Sequence, residues 1–148
     1  MIKKIMPPTY MWIAICIMVI LHFALPLARL INMPWKLAGL IPVILGIVLN
    51  LMADSAFRRA GTTVKPFQES TALITDSVFH ISRHPMYLGF VLILAGVAIL
   101  LGTLSPWVII LILIVLLEIS FISVEERMLE EKFGPAWLDY KKKVRRWI

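Results

Sequence analysis

Four long stretches nearly free of charge dominate this sequence, at about residues 10–31, 36–57, 84–102 and 107–124. Each approaches the roughly 20 apolar residues that a helix needs to cross a ~30 Å hydrocarbon layer. Lipid offers no hydrogen-bonding partners, so a spanning segment must satisfy its own backbone, and an apolar run of this length does so as a helix. The chain is therefore expected to be an all-α integral membrane protein with about four transmembrane helices. Composition agrees, since 60% of its 148 residues are hydrophobic and 16% charged, against roughly 45–50% and about 25% in soluble domains. The remainder is too short for a second domain, and residues 1–148 are read as one.

The first run carries Pro26, expected to kink it, and His22, read mainly as a polar group bonded to a neighbouring helix. Lys3 and Lys4 ahead of it look like the start of a signal peptide. The run continues to Ile31 without a small-x-small cleavage site, so it is read as a retained span. Cys16, the one cysteine, lies within it and behaves as a small hydrophobe that has no disulfide partner. In the second run Gly39, Gly46 and Asn50 are spaced by seven and four. They share one helix face, the kind of small-residue stripe along which helices pack closely in lipid. Gly89 and Gly96 repeat that spacing in the third run. Between them, residues 58–83 form a polar loop punctuated by Gly61 and Pro66. The link Gly102-Thr-Leu-Ser-Pro106 is a short uncharged turn, which makes spans three and four antiparallel neighbours. Span four is expected to run on into Glu125–Phe133 until Gly134-Pro135 stops it, ahead of a basic, aromatic C-terminal helix within the tail 125–148.

Lysine and arginine set the expected orientation. The N-terminus, the middle loop and the tail hold 2, 4 and 7 of them, 13 of the 15, while the opposite side keeps Arg29 and Lys36. The positive-inside rule puts the richer side, with both termini, in the cytoplasm. Lys141, Lys142, Lys143, Arg145 and Arg146 are expected to lie against anionic headgroups, with membrane lipids as the partner. The basic character (pI ≈ 9.8) is what this topology produces, so no nucleic-acid partner is inferred.

Two clusters exceed what a helix bundle needs. At the mouth of span three stands Ser82-Arg83-His84-Pro85-Met86-Tyr87. A helix N-terminus offers free N–H groups and a positive dipole end, and Arg83, His84 and Tyr87 fall on one surface beside it. At the exit of span four stand Glu125 and Glu126, seven and eight residues after Glu118. An ideal helix puts Glu118 and Glu125 on nearly one face. Glu118 lies among apolar residues, where a carboxylate is either functional or half of a buried pair, for example with His22 or Asn50. Because the two clusters meet at one membrane face, they suit a ligand of mixed charge that also carries hydroxyls. S-adenosylmethionine and a phospholipid headgroup both answer that description. No Cys/His metal spacing, P-loop or dinucleotide glycine fingerprint is present, and no metal is expected.

At these residues the sequence resembles the isoprenylcysteine carboxyl methyltransferase and phospholipid methyltransferase superfamily. The resemblance rests on Arg83-His84-Pro85-Met86-Tyr87-Leu88-Gly89, on Glu125-Glu126-x-x-Leu129, and on Phe133-Gly134-x-x-Trp137-x-x-Tyr140. It implies an S-adenosylmethionine-dependent membrane methyltransferase acting on a lipid-like or lipidated acceptor that enters from the bilayer, an isoprenylcysteine carboxylate being one such acceptor. Arg83, His84, Pro85 and Tyr87 would then contact the cofactor, with Glu125 and Glu126 supporting it and Glu118 as a base or polar support. Phe121 stands where many relatives carry an arginine, and the short chain resembles prokaryotic members, which implies a bacterial inner (plasma) membrane. The superfamily's shape also includes nicotinamide-dependent reductases. A non-catalytic adaptor using the basic tail is a reading from another class.

Overall fold

The computed structural model describes residues 6–62 and 70–148; Lys3, Lys4, Lys65 and Pro66 lie outside the described residues. The chain is all-helical, without strands among those residues. Helix α1 covers Pro7–Ala24 and α2 covers Leu40–Arg59, the latter preceded by a 3₁₀ turn at Trp35–Gly39. Helix α3 is Pro85–Leu101, and α4 (Ser105–Leu117) continues through a π-turn at Glu118–Ile122 into α5 (Ser123–Phe133). Helix α6, Pro135–Lys143, completes the order. Prolines occupy the first turns of α1, α3, α4 and α6, where the missing N–H leaves no bond unmade and the fixed φ suits a helix.

Among the described residues, three helices are long and apolar enough to cross a membrane: Pro7–Ala24, Trp35–Arg59 and Ser105–Phe133, while Pro85–Leu101 is a shorter apolar helix. The apolar part of the long third helix, interrupted by Glu118, ends at Val124, ahead of the charged run from Glu125. Side chains such as Trp12, Phe23, Leu51 and Leu111 are exposed on the outside of the bundle, as lipid-facing residues of a membrane protein are. The first span differs from its expected extent. It ends at Ala24 instead of continuing to Ile31, because Pro26 forces Leu25 out of the helical region (φ −142°, ψ 68°). The apolar residues after it form an irregular segment laid over the α3–α4 turn, with Leu30 and Ile31 N–H groups bonded to Gly102 O. His22 bonds that same turn through Thr103 Oγ1 at 2.9 Å.

The glycine stripes meet. A Cβ on Gly46 would lie 2.5 Å from Gly89 O, and one on Gly39 would lie 2.5 Å from Gly96 O. The α2 and α3 backbones are therefore in direct contact over two turns, which no larger residue permits. Gly102, at φ 76°, ends α3 in the left-handed region and turns the chain into α4.

Two apolar cores follow. One joins α1, α3 and α4 through Met11, Met18, Leu94, Leu113 and Leu117. The other gathers Ala53 and Ala56 of α2, Phe79 of a 3₁₀ turn (Ser77–His80), and Trp137, Tyr140 and Val144 of the C-terminal segment. Tyr140 also donates a 2.7 Å hydrogen bond to Phe79 O. This second core docks α6 beneath the mouth of α3 and so positions the charged residues there.

Candidate active site

The short α3–α4 connection brings the start of α3 and the start of α5 to one end of the bundle, where they flank a cavity of about 590 Å³. Small-molecule sites occupy roughly 300–1,000 Å³. Arg83, His84, Pro85, Tyr87 and Glu125 line it, together with an apolar wall that includes Phe57, Met86, Phe90 and Leu129. Trp137 of α6 forms part of the wall, and the Arg83 guanidinium lies 5.7 Å from the centre of its ring.

Tyr87 donates a 2.7 Å hydrogen bond to Glu125 Oε1, and its ring stacks on His84 at 5.7 Å. His84 sits between the two carboxylates, with Nδ1 3.5 Å from Glu125 and Nε2 3.3 Å from Glu126. Only the charged imidazolium can donate from both nitrogens. Burial opposes that charge, but the hydrogen bonds and negative charges of Glu125 and Glu126 outweigh it and raise the His84 pKa above its ordinary value. Glu126 is 4% exposed. Burial again works against charge, yet hydrogen bonds from His84 and Arg146 and the positive charges of Arg83 and His84 bring its pKa down to about 2.

Glu126 is not on the cavity wall. It stands behind His84, where Arg83 Nη2 approaches at 3.2 Å and the Arg146 guanidinium grips it through Nε and Nη2. The third nitrogen of Arg146 bonds Glu118, which also accepts 3.2 Å from Trp147 Nε1. The partner of Glu118 is thus Arg146, and neither His22 nor Asn50.

The π-turn explains why Glu118 pairs with Glu126 instead of aligning with Glu125. A π-turn adds one residue to a helical turn, a phase slip of about 100°. Across it, the eight-residue spacing of Glu118 and Glu126 behaves like seven, and both point toward the tail. Glu125 is rotated onto the cavity.

Arg146 is the residue that the sequence concealed, one cation in a basic run expected against headgroups. The structure turns it inward. Trp137 was visible only as part of a motif; it is 1% exposed and lines the cavity. Phe121, in place of a cation, packs edge-on against Tyr10 at 5.7 Å and beside Tyr87 at 6.3 Å.

Unpaired donors mark the cavity wall. Arg83 has a side chain 7% exposed, and its Nε and Nη1 have no hydrogen-bond partner among the described residues, nor does the buried Trp137 Nε1. Buried N–H groups without acceptors are costly and rare. Beside a cavity they fit an anionic acceptor group such as a carboxylate. Glu125 on the same wall accepts hydrogen bonds, so the donor set fits a zwitterionic ligand.

Known proteins that this chain resembles place its fold among membrane methyltransferases. The phospholipid methyltransferase family model matches residues 35–136, and the chain belongs to that family. A structure of the eukaryotic intramembrane Ras methyltransferase, isoprenylcysteine carboxyl methyltransferase, matches 96% of this chain at 27% identity with a TM-score of 0.64. The match covers 50% of that protein, so this chain spans about half its length. An uncharacterized protein of Haemophilus influenzae is 41% identical over 63 residues, which are 43% of this chain and all of that relative. The family model's range includes Arg83, His84, Tyr87, Glu118, Glu125 and Glu126; Arg146 lies beyond it.

Proposed function

We propose that this protein is an S-adenosylmethionine-dependent methyltransferase of the membrane, acting on a lipid-like or lipidated acceptor such as an isoprenylcysteine carboxylate, with its cofactor side in the bacterial cytoplasm. The observation that supports it is the buried Arg83 guanidinium, whose Nε and Nη1 lack acceptors among the described residues beside the 590 Å³ cavity. A cofactor carboxylate is the acceptor they lack, and methyltransferases of this family use that cofactor.

In this reading Arg83 and Trp137 hold the carboxylate, while Glu125, fixed by Tyr87, accepts from the amine or the ribose hydroxyls. His84 and Pro85 complete the wall, and Glu126 supports it from behind. Glu118, bonded to Arg146 and Trp147, is assigned polar support and not the role of base. When bound, the cofactor supplies a methyl group on a sulfonium, open to in-line attack by a nucleophile. The protein's part is proximity and orientation, plus exclusion of water by Phe57, Met86, Phe90 and Leu129. A carboxylate acceptor needs no base, whereas an amine must first lose a proton.

Calorimetry on detergent-solubilised protein tests this reading. S-adenosylmethionine or its demethylated product should bind at micromolar strength, and Arg83→Ala should weaken binding by tenfold or more, about 1.4 kcal/mol. Absence of binding by the folded protein, or binding of a nicotinamide cofactor in its place, would contradict it.

A further inference from the structure

We propose that Arg146 is a positioning residue for the cavity: the C-terminal segment forms a clasp whose guanidinium, spanning Glu126 and Glu118, holds Glu126 against Arg83 and His84. This rests on the reading of the cavity as a cofactor site.

The clasp has a backbone part and a side-chain part. Arg83 N–H donates to Arg145 O at 3.1 Å. Ser82, fully buried, donates its hydroxyl to Arg146 O at 3.0 Å and accepts from His84 N–H at 3.1 Å. Residues 82–84 are therefore held by Arg145 and Arg146 together with the preceding turn, where Ser82 N–H donates to Val78 O at 3.3 Å, while α3 has no side-chain cap.

Above that backbone, Arg146 presents a two-pronged contact to Glu126 and its remaining nitrogen to Glu118. A planar guanidinium serves two carboxylates in this way, which a lysine ammonium cannot reproduce. The two carboxylates are in line only because the π-turn slips the helical phase between them. The cluster is balanced, with Arg83, His84 and Arg146 facing Glu118, Glu125 and Glu126. Removing Arg146 leaves Glu126 with Arg83 and His84 alone, and Arg83 is drawn toward Glu126 and away from the cavity.

The test uses the full chain in detergent micelles, with S-adenosylhomocysteine affinity by calorimetry and the His84 ring titration by NMR without ligand. The groups facing that ring are Glu125 and Glu126 from α5, Tyr87 from α3, the neighbouring Arg83, and Arg146 acting through Glu126. Arg146→Met is expected to weaken affinity about tenfold and to move the His84 midpoint upward, because the carboxylates lose a neutralising charge. Arg146→Lys should restore most of the midpoint but only part of the affinity. Glu118→Gln, which releases one end of the clasp, should weaken affinity by an amount between the two, without the upward shift of the His84 midpoint, because it removes a negative charge. Arg146→Met binding within about twofold of wild type, with the His84 midpoint unmoved, would overturn the proposal. If that variant does not fold, wild-type affinity and midpoint in both Arg146→Lys and Glu118→Gln overturn it instead. A wild-type protein that binds no S-adenosylhomocysteine counts against the functional reading, while the ligand-free His84 midpoint still decides the role of Arg146.

Discussion

Tyr87 and Glu125 are joined by a 2.7 Å hydrogen bond from the phenol to the carboxylate, and that bond ties the mouth of α3 to the start of α5 across the cavity. It also fixes the rotamer of the one carboxylate of the pair that faces the ligand space. Tyr87→Phe keeps the ring that stacks on His84 and removes only the donor. Binding of S-adenosylhomocysteine should weaken about threefold to tenfold, with an unfolding change of about 1 kcal/mol. Calorimetry paired with thermal unfolding reads both; unchanged affinity would show that Glu125 is held some other way.

The contact between Gly46 and Gly89 predicts a purely structural defect. Gly46→Leu would place a side chain against the Gly89 carbonyl, so α2 and α3 must separate. The unfolding temperature in detergent should fall steeply, by an amount corresponding to roughly 1–3 kcal/mol or more. Gly61, where a Cβ would meet no described residue within 4 Å, is the reference position; Gly61→Asn should change little. Equal effects at both positions would contradict the close approach.

The acid–base behaviour of the cluster has a definite sign. His84 has a raised pKa, so its contribution to stability is complete below its ordinary value of 6.5 and is lost as pH rises through the folded value. Glu126 has a lowered one, so its contribution is complete above 4.5 and is lost as pH falls through about 2. The difference in unfolding temperature between wild type and His84→Gln should therefore be largest between pH 4.5 and 6.5 and shrink in alkali. A difference that grows with rising pH would show that His84 is held neutral.

Much of this arrangement is legible in the sequence, and the exceptions have physical causes. Hydropathy marks the spans because lipid penalises any unsatisfied backbone, and the seven-residue spacing of Gly39, Gly46, Gly89 and Gly96 marks the α2–α3 seam. Hydropathy alone does not separate helix from irregular segment, so Leu25–Ile31 reads as span although Pro26 ends the helix. Arg83, His84, Tyr87 and Glu125 are legible because the short outer turn brings two helix ends together. The π-turn is not, since its phase slip leaves no compositional mark, and it reverses which glutamate aligns with Glu118. Arg146 is hidden for a different reason. Among Lys141, Lys142, Lys143 and Arg145 it looks like one more solvated cation, and only tertiary docking through Val144, Tyr140 and Ser82 turns it inward.

Arg83→Lys separates charge from geometry. Lysine keeps the cation beside Trp137 but loses the fork that serves Glu126 and the cavity at once. Affinity for S-adenosylhomocysteine should fall about tenfold while the His84 titration stays near wild type. Full retention of affinity would mean that a point charge suffices.

Transfer of a tritiated methyl group from S-adenosylmethionine, with purified protein in membranes of the source organism, tests the proposed activity directly. Label is expected in the lipid-extractable or lipidated-protein fraction, with its loss in Arg83→Ala at unchanged folding. Label in neither fraction, or label that persists at the wild-type rate in Arg83→Ala, would contradict it.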